Sequence, residues 1–241
     1  IGITCLAGYG LTETAPILSA CTPSLNIMGS VGRPLADVTL AIDSPGAADS
    51  EESAGEILAK GENVMLGYYQ NEEATREVFT KDGWFKTGDI CYFDKQDCLH
   101  ITGRAKSVIV LSNGKNVFPE EVEVFFNQIP GVKNVMIWGE PTERGAIDLS
   151  ARFQIDKEAL PDSVGIKDEE INDWLEDEVE KINREMTEYK KVKYFIWDES
   201  EPIMTTTLKI KRNEELQRIH KELAKLNLVV RDVSGKRMLF S

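Results

Sequence analysis

The stretch Ile101–Glu123, ITGRAKSVIVLSNGKNVFPEEVE, constrains the fold more than any other. Val108–Leu111 is a short apolar run of strand type, and Ser112-Asn113-Gly114-Lys115 supplies a hairpin turn in which Asn-Gly tolerates positive φ. Asn116–Phe118 is the return strand. Pro119 has no N–H to donate, so it suits a first helical position, and Glu120, Glu121 and Glu123 fill a first turn where acids complement the helix dipole. Val122, Phe125, Phe126 and Ile129 are the predicted apolar face. The stretch joins a strand-rich region to a region of mixed strands and helices, so it reads as a pivot between two domains.

On its N-terminal side the signals are short strands between turns. Ile1–Leu6 is an apolar run expected to form a buried strand. Gly29–Pro34 is a turn leading into a strand at Val38–Ile42, and residues 43–54 are small, acidic and polar, an exposed loop. Gly55–Gly61 is the next strand, and Asn71 caps a short helix. Asp82–Phe85 is a tight turn, and Ile90–Phe93 with Leu99–Thr102 makes a hairpin around Asp94–Asp97. Residues 30–102 therefore read as a barrel-like β subdomain. On the C-terminal side, strands are predicted at Val132–Trp138, Leu149–Gln154 and Lys193–Trp197. A helix over Asp168–Met186 follows from the spacing of Ile171, Trp174, Leu175, Val179, Ile182 and Met186. A last helix over Asn213–Leu226 places Leu216, Ile219, Leu223 and Leu226 inward, and Pro202–Lys209 is a loop. The fold class is mixed α+β: a β-rich subdomain over 1–104, a small α+β domain over 105–228, and a tail, 229–241, without a signal of its own.

Charge narrows the function. The chain of 241 residues carries 28 basic and 41 acidic residues, a net −13. Such a surface repels nucleic acid and anionic membrane, so an anionic small substrate must be met by local basic groups. No apolar run reaches the ~20 residues of a membrane span, and no charged-then-apolar leader opens the chain. Opening on Ile1 in what reads as mid-strand, the chain is expected to be a fragment. The four cysteines lack CxxC spacing, so reduced thiols and a cytoplasmic location are expected. His100 and His220 have no neighbouring ligand pattern, which argues against a metal site at either.

Three stretches carry chemistry. In Tyr9-Gly10-Leu11-Thr12-Glu13, with Gly8 before it, glycines permit close backbone approach and the Tyr9 ring can lie on a purine. There Thr12 can donate to a phosphate oxygen and Glu13 can hold Mg²⁺. The plainer reading is a Gly-Tyr-Gly turn with a buried tyrosine. In Thr87-Gly88-Asp89, a carboxylate after glycine can accept from a vicinal diol such as a ribose, whereas a capped turn is the plainer reading. Arg104 adds a rigid fork of donors. In Thr205–Arg212, TTTLKIKR, Lys209 with Lys211 and Arg212 forms a basic cluster on a loop; the plainer reading of Lys209 is a solvated lysine.

Taken in order, YGLTE, GE-I-x-x-x-G with GYY, WFKTGD, GRAKSxIxxxNGKNxFPEEVE and T-x-K-I-K-R resemble the adenylate-forming superfamily of acyl-CoA synthetases, peptide-synthetase adenylation domains and luciferases. GENVMLGYYQNEEATREVFTKDGWFKTGD and TLKIKR look most like long-chain fatty acid–CoA ligases. The resemblance implies the acyl-CoA synthetase-like fold, with ATP, Mg²⁺ and coenzyme A bound alongside a fatty acid. It assigns Tyr9 to adenine, Thr12 to the α-phosphate, Glu13 to Mg²⁺, Asp89 to both ribose hydroxyls with Arg104 assisting, and Gly114 to the pantetheine passage. Lys106 falls on the hinge position, and Lys209 on the mobile lysine of the adenylation step. Any peripheral membrane contact would belong to a part of the protein outside this chain.

Two positions depart from the pattern: Leu208 stands where glycine usually precedes the lysine, and Ala7 where a polar residue is common. The Ser/Thr/Gly-rich phosphate loop is not in this sequence, so the chain by itself is expected not to form an adenylate. A ligase that loads a carrier protein, and a non-catalytic relative, stay open beside the CoA ligase; the luciferase-type oxidase has no positive feature.

Overall fold

The computed structural model describes residues 3–43 and 54–240. The loop expected over 43–54 therefore falls almost wholly outside the described residues, as do Ile1 and Gly2 at the start of the first apolar run. The chain divides into two compact units, residues 1–107 and 108–241. The expected mixed α+β class holds.

The first unit is mostly antiparallel sheet. Strands β1 (Gly8–Tyr9), β2 (Ser19–Ala20) and β3 (Arg33–Pro34) form one sheet. Strands β4 (Thr39–Asp43), β5 (Gly55–Lys60), β6 (Phe85–Phe93) and β7 (Leu99–Arg104) form another in that linear order. Helix α1 (Glu72–Val78) is capped by Asn71, whose side-chain oxygen accepts from the Ala74 N–H at 3.1 Å. Strand β5 alternates buried and half-buried residues, as a strand with one face inward must. Two small clusters result, one around Leu18, Ala59 and Phe85 and one around Ile57, Cys91 and Leu99. The predicted opening strand does not form: Ile3–Leu6 lies outside regular structure and is exposed, Ile3 at 76%. Apolar composition made it look like a strand, but among the described residues no strand lies beside it; the Cys5 carbonyl accepts from the Asn26 side chain at 3.0 Å instead.

The second unit opens with the predicted hairpin, β8 (Ile109–Val110) and β9 (Asn116–Val117), with Gly114 at φ +78° in the turn. Helix α2 (Pro119–Phe126) follows. Strands β10 (Val132–Pro141) and β11 (Ile147–Ile155) form a long antiparallel hairpin. Helix α3 (Asp168–Glu185) is the crossover to β12 (Val192–Asp198), which runs parallel to β11. Helix α4 (Arg212–Lys225) leads to β13 (Lys236–Arg237), parallel to β12. Alternation along β10 sorts the core: Val135 and Ile137 face a large cluster with α2 and α3, whereas Met136 and Trp138 face a smaller one with α4.

Two expectations fail here, each for its own geometric reason. Phe125 is 51% exposed and Leu226 63% exposed, although both were predicted inward. Helix α2 turns Pro119, Val122, Glu123 and Phe126 inward, with Ile129 completing the apolar stripe beyond the helix end, and that leaves Phe125 on the outer side. Leu226 lies just past α4, and the tail supplies Val230 and Met238 to the core in its place. The tail, which carried no signal, thus closes one side of the unit through its described residues, Val230 and Met238 among them. Among the described residues no helix is long and apolar enough to cross a membrane.

Candidate functional site

Within the first unit, Tyr9, Asp89 and Arg104 come together. Asp89 in β6 and Arg104 at the end of β7 are direct cross-strand partners, and Arg104 Nε lies 2.7 Å from Asp89 Oδ1. The Tyr9 hydroxyl, carried in by β1, donates to Asp89 Oδ2 at 2.6 Å. The carboxylate is 4% exposed, while the Arg104 side chain is 48% exposed. Burial, then the bond to Asp89, raises the Tyr9 hydroxyl above the ordinary tyrosine range. The phenol therefore stays protonated and acts as a donor. A carboxylate between two charge-assisted bonds is fixed in direction. The strand that bears it is shaped for this: Gly88 takes φ +73°, its N–H donates to Glu56 Oε1 at 2.9 Å, and the Thr87 hydroxyl donates to the Ile57 carbonyl at 3.0 Å.

The tyrosine motif is less open than its glycines imply. A Cβ on Gly10 would lie 1.9 Å from the Pro16 carbonyl oxygen, and one on Gly8 would lie 3.3 Å from that of Ser19. Gly10 is required by the chain's own backbone, a sufficient reason for it without a ligand. Thr12 and Glu13 form a 3₁₀ turn with Thr14, whose hydroxyl caps it by accepting from the Leu11 N–H at 2.9 Å. Thr12 is exposed. Glu13 Oε1 accepts from the Tyr68 hydroxyl at 3.0 Å, a partner no sequence signal named. One carboxylate is no cage for a metal, and among the described residues no group of three or more His, Cys, Asp or Glu could hold one. It does fit Mg²⁺, which keeps much of its water and is commonly held by one or two carboxylates with substrate phosphates.

In the second unit, Lys209 stands in a tight turn closed by the Met204–Ile210 bridge. Its backbone is held twice by Thr205: the Thr205 N–H donates to the Lys209 carbonyl at 2.8 Å, and the Lys209 N–H donates to the Thr205 hydroxyl oxygen at 3.1 Å. The side chain is exposed, and among the described residues its ammonium has no carboxylate partner. The other two cations of the predicted basic cluster are committed. Lys211 pairs with Glu214 at 3.0 Å. Arg212 is bidentate on Glu123, at 2.7 and 2.6 Å, and also donates to the Ile137 carbonyl. Glu123 was expected only to complement the helix dipole. Instead it is 8% exposed, with burial raising its pKa against the pull of Arg212. Leu208 adopts φ +57°, a left-handed conformation that suits glycine. Beyond stiffening the loop, leucine here sits in a strained position.

Gly114 has nothing within 4 Å of where a Cβ would be, so the turn itself explains this glycine. Beside that hairpin is a cleft of about 590 Å³, lined in part by Ser112, Asn113, Tyr189, Lys191 and Lys193. Lys115 lies 4.2 Å from the Tyr189 ring centroid, a cation–π contact. Sequence reasoning missed this cleft, although YKKVK, with three lysines around a tyrosine and a valine, is a visible basic tract. Lys106 is exposed in the 3₁₀ turn Ala105–Ser107, the last turn of the first unit. The histidines serve structural pairs, His100 with Asp94 at 2.8 Å and His220 with Glu140 at 3.0 Å, and the four cysteines are free.

Residues 1–69 match the model of the AMP-binding enzyme family. The chain is 35% identical over 205 residues to a 2-succinylbenzoate–CoA ligase of Enterococcus faecalis, covering 83% of the chain and 39% of that relative. It is 40% identical over 139 residues to a long-chain-fatty-acid–CoA ligase of Salmonella typhimurium, covering 57% of the chain and 24% of that protein. Among solved structures it is similar to the O-succinylbenzoate coenzyme A synthetase of Bacillus subtilis in complex with ATP and magnesium ion. That likeness has a TM-score of 0.71 and 27% identity, over 88% of this chain and 41% of the other. The chain thus spans about two fifths or less of these relatives.

Proposed function

The chain belongs to the AMP-binding enzyme superfamily, and from that premise we propose that the protein is an AMP-forming acid–CoA ligase whose nucleotide is gripped by Asp89. In the first step a carboxylate attacks the α-phosphorus of ATP, giving an acyl-adenylate and pyrophosphate. In the second the thiol of coenzyme A attacks the acyl carbonyl and releases AMP. Both steps bring anions together, so preorganised donors aimed at the developing charge dominate the rate.

The observation that carries this reading is the Asp89 carboxylate, buried and aligned by Tyr9 and Arg104. A diol donor such as a ribose is the ligand such a group accepts best. Thr12 would donate to the α-phosphate and Glu13 would hold Mg²⁺ against the phosphates; when bound, that ion would offset phosphoryl charge. Lys209 would supply the cation of the adenylation step, and Lys106 the joint at which the second unit turns for thioester formation. In the cleft, Lys191 and Lys193 are each paired with a carboxylate of the same lining, Glu188 and Asp148, so an anionic co-substrate would have to displace those partners to use them.

For the acid, long-chain fatty acids are the finer reading, supported by the Salmonella relative; the Enterococcus 2-succinylbenzoate ligase, alike over more of the chain, favours an aryl acid. The test uses the intact protein with ATP, a panel of fatty and aryl acids, and either coenzyme A or a pantetheinylated carrier protein. Acid-dependent AMP release with a CoA thioester as product is the expected result. Acylation of the carrier alone would make the protein a carrier-loading ligase, and absence of AMP formation with every acid would make it non-catalytic.

A further inference from the structure

Lys209 is only as well placed as the stem beneath it, and that stem rests on the most buried charges of the second unit. Arg152 is 2% exposed, Asp198 3% and Glu215 0%. Arg152 Nε and Nη2 donate to Asp198 at 2.7 and 2.9 Å, and Nη1 donates to Glu215 Oε1 at 2.6 Å. Arg218 adds a second contact to Glu215 Oε1 at 3.1 Å, and the Phe240 ring lies over both guanidinium groups, 4.8 and 4.3 Å from centroid to Cζ.

Buried ion networks are poor stabilisers, since desolvation offsets most of their attraction, and an apolar cluster of equal volume often serves stability better. What an apolar cluster cannot do is fix the backbone by directed bonds. This network does so along the segment leading to the turn. Arg152 Nη2 donates to the Ser200 carbonyl at 2.8 Å, the Ser200 N–H and hydroxyl both donate to Asp198 Oδ1, and the Ile203 N–H donates to Glu215 Oε2 at 2.8 Å. Ile203 in turn accepts from the Lys211 N–H at 2.8 Å, closing the stem whose tip is Lys209.

We propose that Arg152, with Asp198 and Glu215, is a positioning device that holds the Lys209 turn in the geometry needed for adenylate formation. The proposal rests on the assignment of Lys209 to that step. The fork of Arg152 makes four directed bonds at once, two of them bidentate to Asp198, where a lysine ammonium has only three donors and no planar fork.

The test separates the two half-reactions in the intact protein. Acid-dependent ATP–pyrophosphate exchange reads adenylation; thioester formation from a supplied acyl-adenylate and coenzyme A reads the second step, which does not need Lys209. Because a misplacement of about 1 Å costs on the order of 100-fold, Arg152→Met is expected to lower exchange by about that factor. Thioester formation from supplied adenylate should stay within about 3-fold, and Arg152→Lys should recover part of the loss. Glu215→Gln keeps the volume and one acceptor, and is expected to lower exchange about 10-fold, on the scale of one lost charge-assisted bond. It carries the test if Arg152→Met does not fold. Parallel loss of both half-reactions, or normal exchange in folded variants, overturns the proposal. Lys209→Ala is the control: if it leaves exchange intact, the assignment of Lys209 fails; if it abolishes exchange while Arg152→Met and Glu215→Gln retain it, only the positioning device fails.

Discussion

In the first unit the polar side chains of the site satisfy one another: Tyr9 and Arg104 each occupy one oxygen of Asp89, and the carboxylate has nowhere to turn. In the second unit Lys209 is exposed at the tip of a turn, and order is supplied from below by Arg152, Asp198 and Glu215. The cores differ in the same direction. The first unit has two small clusters, whereas the second has a large one that includes Phe126, Phe153, Leu175 and Trp197 beside a smaller one. A carboxylate that accepts a neutral diol can be rigid. Under the proposed role of Lys209, a cation that serves one step and clears the way for the next needs a firm base, and the large core of the second unit supplies one.

The largest expected effect tests the mobile half of this contrast. Lys209→Ala should lower acid-dependent ATP–pyrophosphate exchange about 100- to 1,000-fold, the scale of removing one preorganised group that meets transition-state charge. Thioester formation from supplied acyl-adenylate should stay near the wild-type rate, and equal loss in both steps would remove the distinction between the units. Next comes the core beneath it. Phe153 is fully buried, with edge-on contacts to Phe126 and Phe195 at centroid distances of 5.7 and 5.8 Å. Phe153→Ala should cost about 3–5 kcal/mol in denaturant unfolding. A loss below about 1 kcal/mol would mean that the second unit is no better packed than the first.

Much of this was legible in the sequence because it is local. Asn113-Gly114 specifies its hairpin, Pro119 its helix start, and the spacing of Ile171, Leu175 and Val179 the buried face of α3, each within one turn or a few. The meeting of Asp89 with Arg104 was also within reach, since one hairpin makes them cross-strand neighbours. What stayed hidden depends on partners far along the chain. Glu215 reads as one more acid in a first turn, and only its contact with Arg152, 63 residues away, reveals it as buried. Glu123 is hidden in the same way by Arg212, 89 residues away. Such pairs obey no period, so a pattern search assigns both acids to solvent. The tail was missed because short segments such as Lys236–Arg237 become strands only against an existing edge.

A smaller effect tests the rigid half. Tyr9→Phe keeps the ring and removes only the donor to Asp89 Oδ2. Since a hydrogen bond to a charged group contributes about 1.5 kcal/mol or more, the KM for ATP should rise about 10-fold. The KM for 2′,3′-dideoxy-ATP, which has no ribose hydroxyl to present, should barely change. Equal rises for both nucleotides would show that the hydroxyl supports the fold and not the diol site, and the first unit would lose its claim to a preset carboxylate.

The smallest effect concerns how the second unit ties its elements together. His220 on α4 meets Glu140 on β10 at 3.0 Å, and Glu140 also accepts from the Trp138 indole at 2.7 Å. The bond to Glu140 raises the His220 pKa above the ordinary histidine value, while bonds from His220 and Trp138 hold Glu140 below the usual carboxylate value against the opposing effect of burial. The signs fix the window. A raised histidine contributes stability below its unfolded pKa and loses it as pH rises through the folded one; a lowered carboxylate contributes above its unfolded pKa and loses it as pH falls through the folded one. The pair is therefore strongest between the two. Because the histidine is 44% exposed, screening keeps its contribution below about 1 kcal/mol. His220→Gln should lower the denaturant midpoint at about pH 6 and converge on wild type as pH rises past the histidine range. A deficit that persists unchanged at high pH would assign His220 to packing alone, and the charge pairing that ties α4 to its neighbours would then rest on Arg212–Glu123 and the buried groups around Arg152.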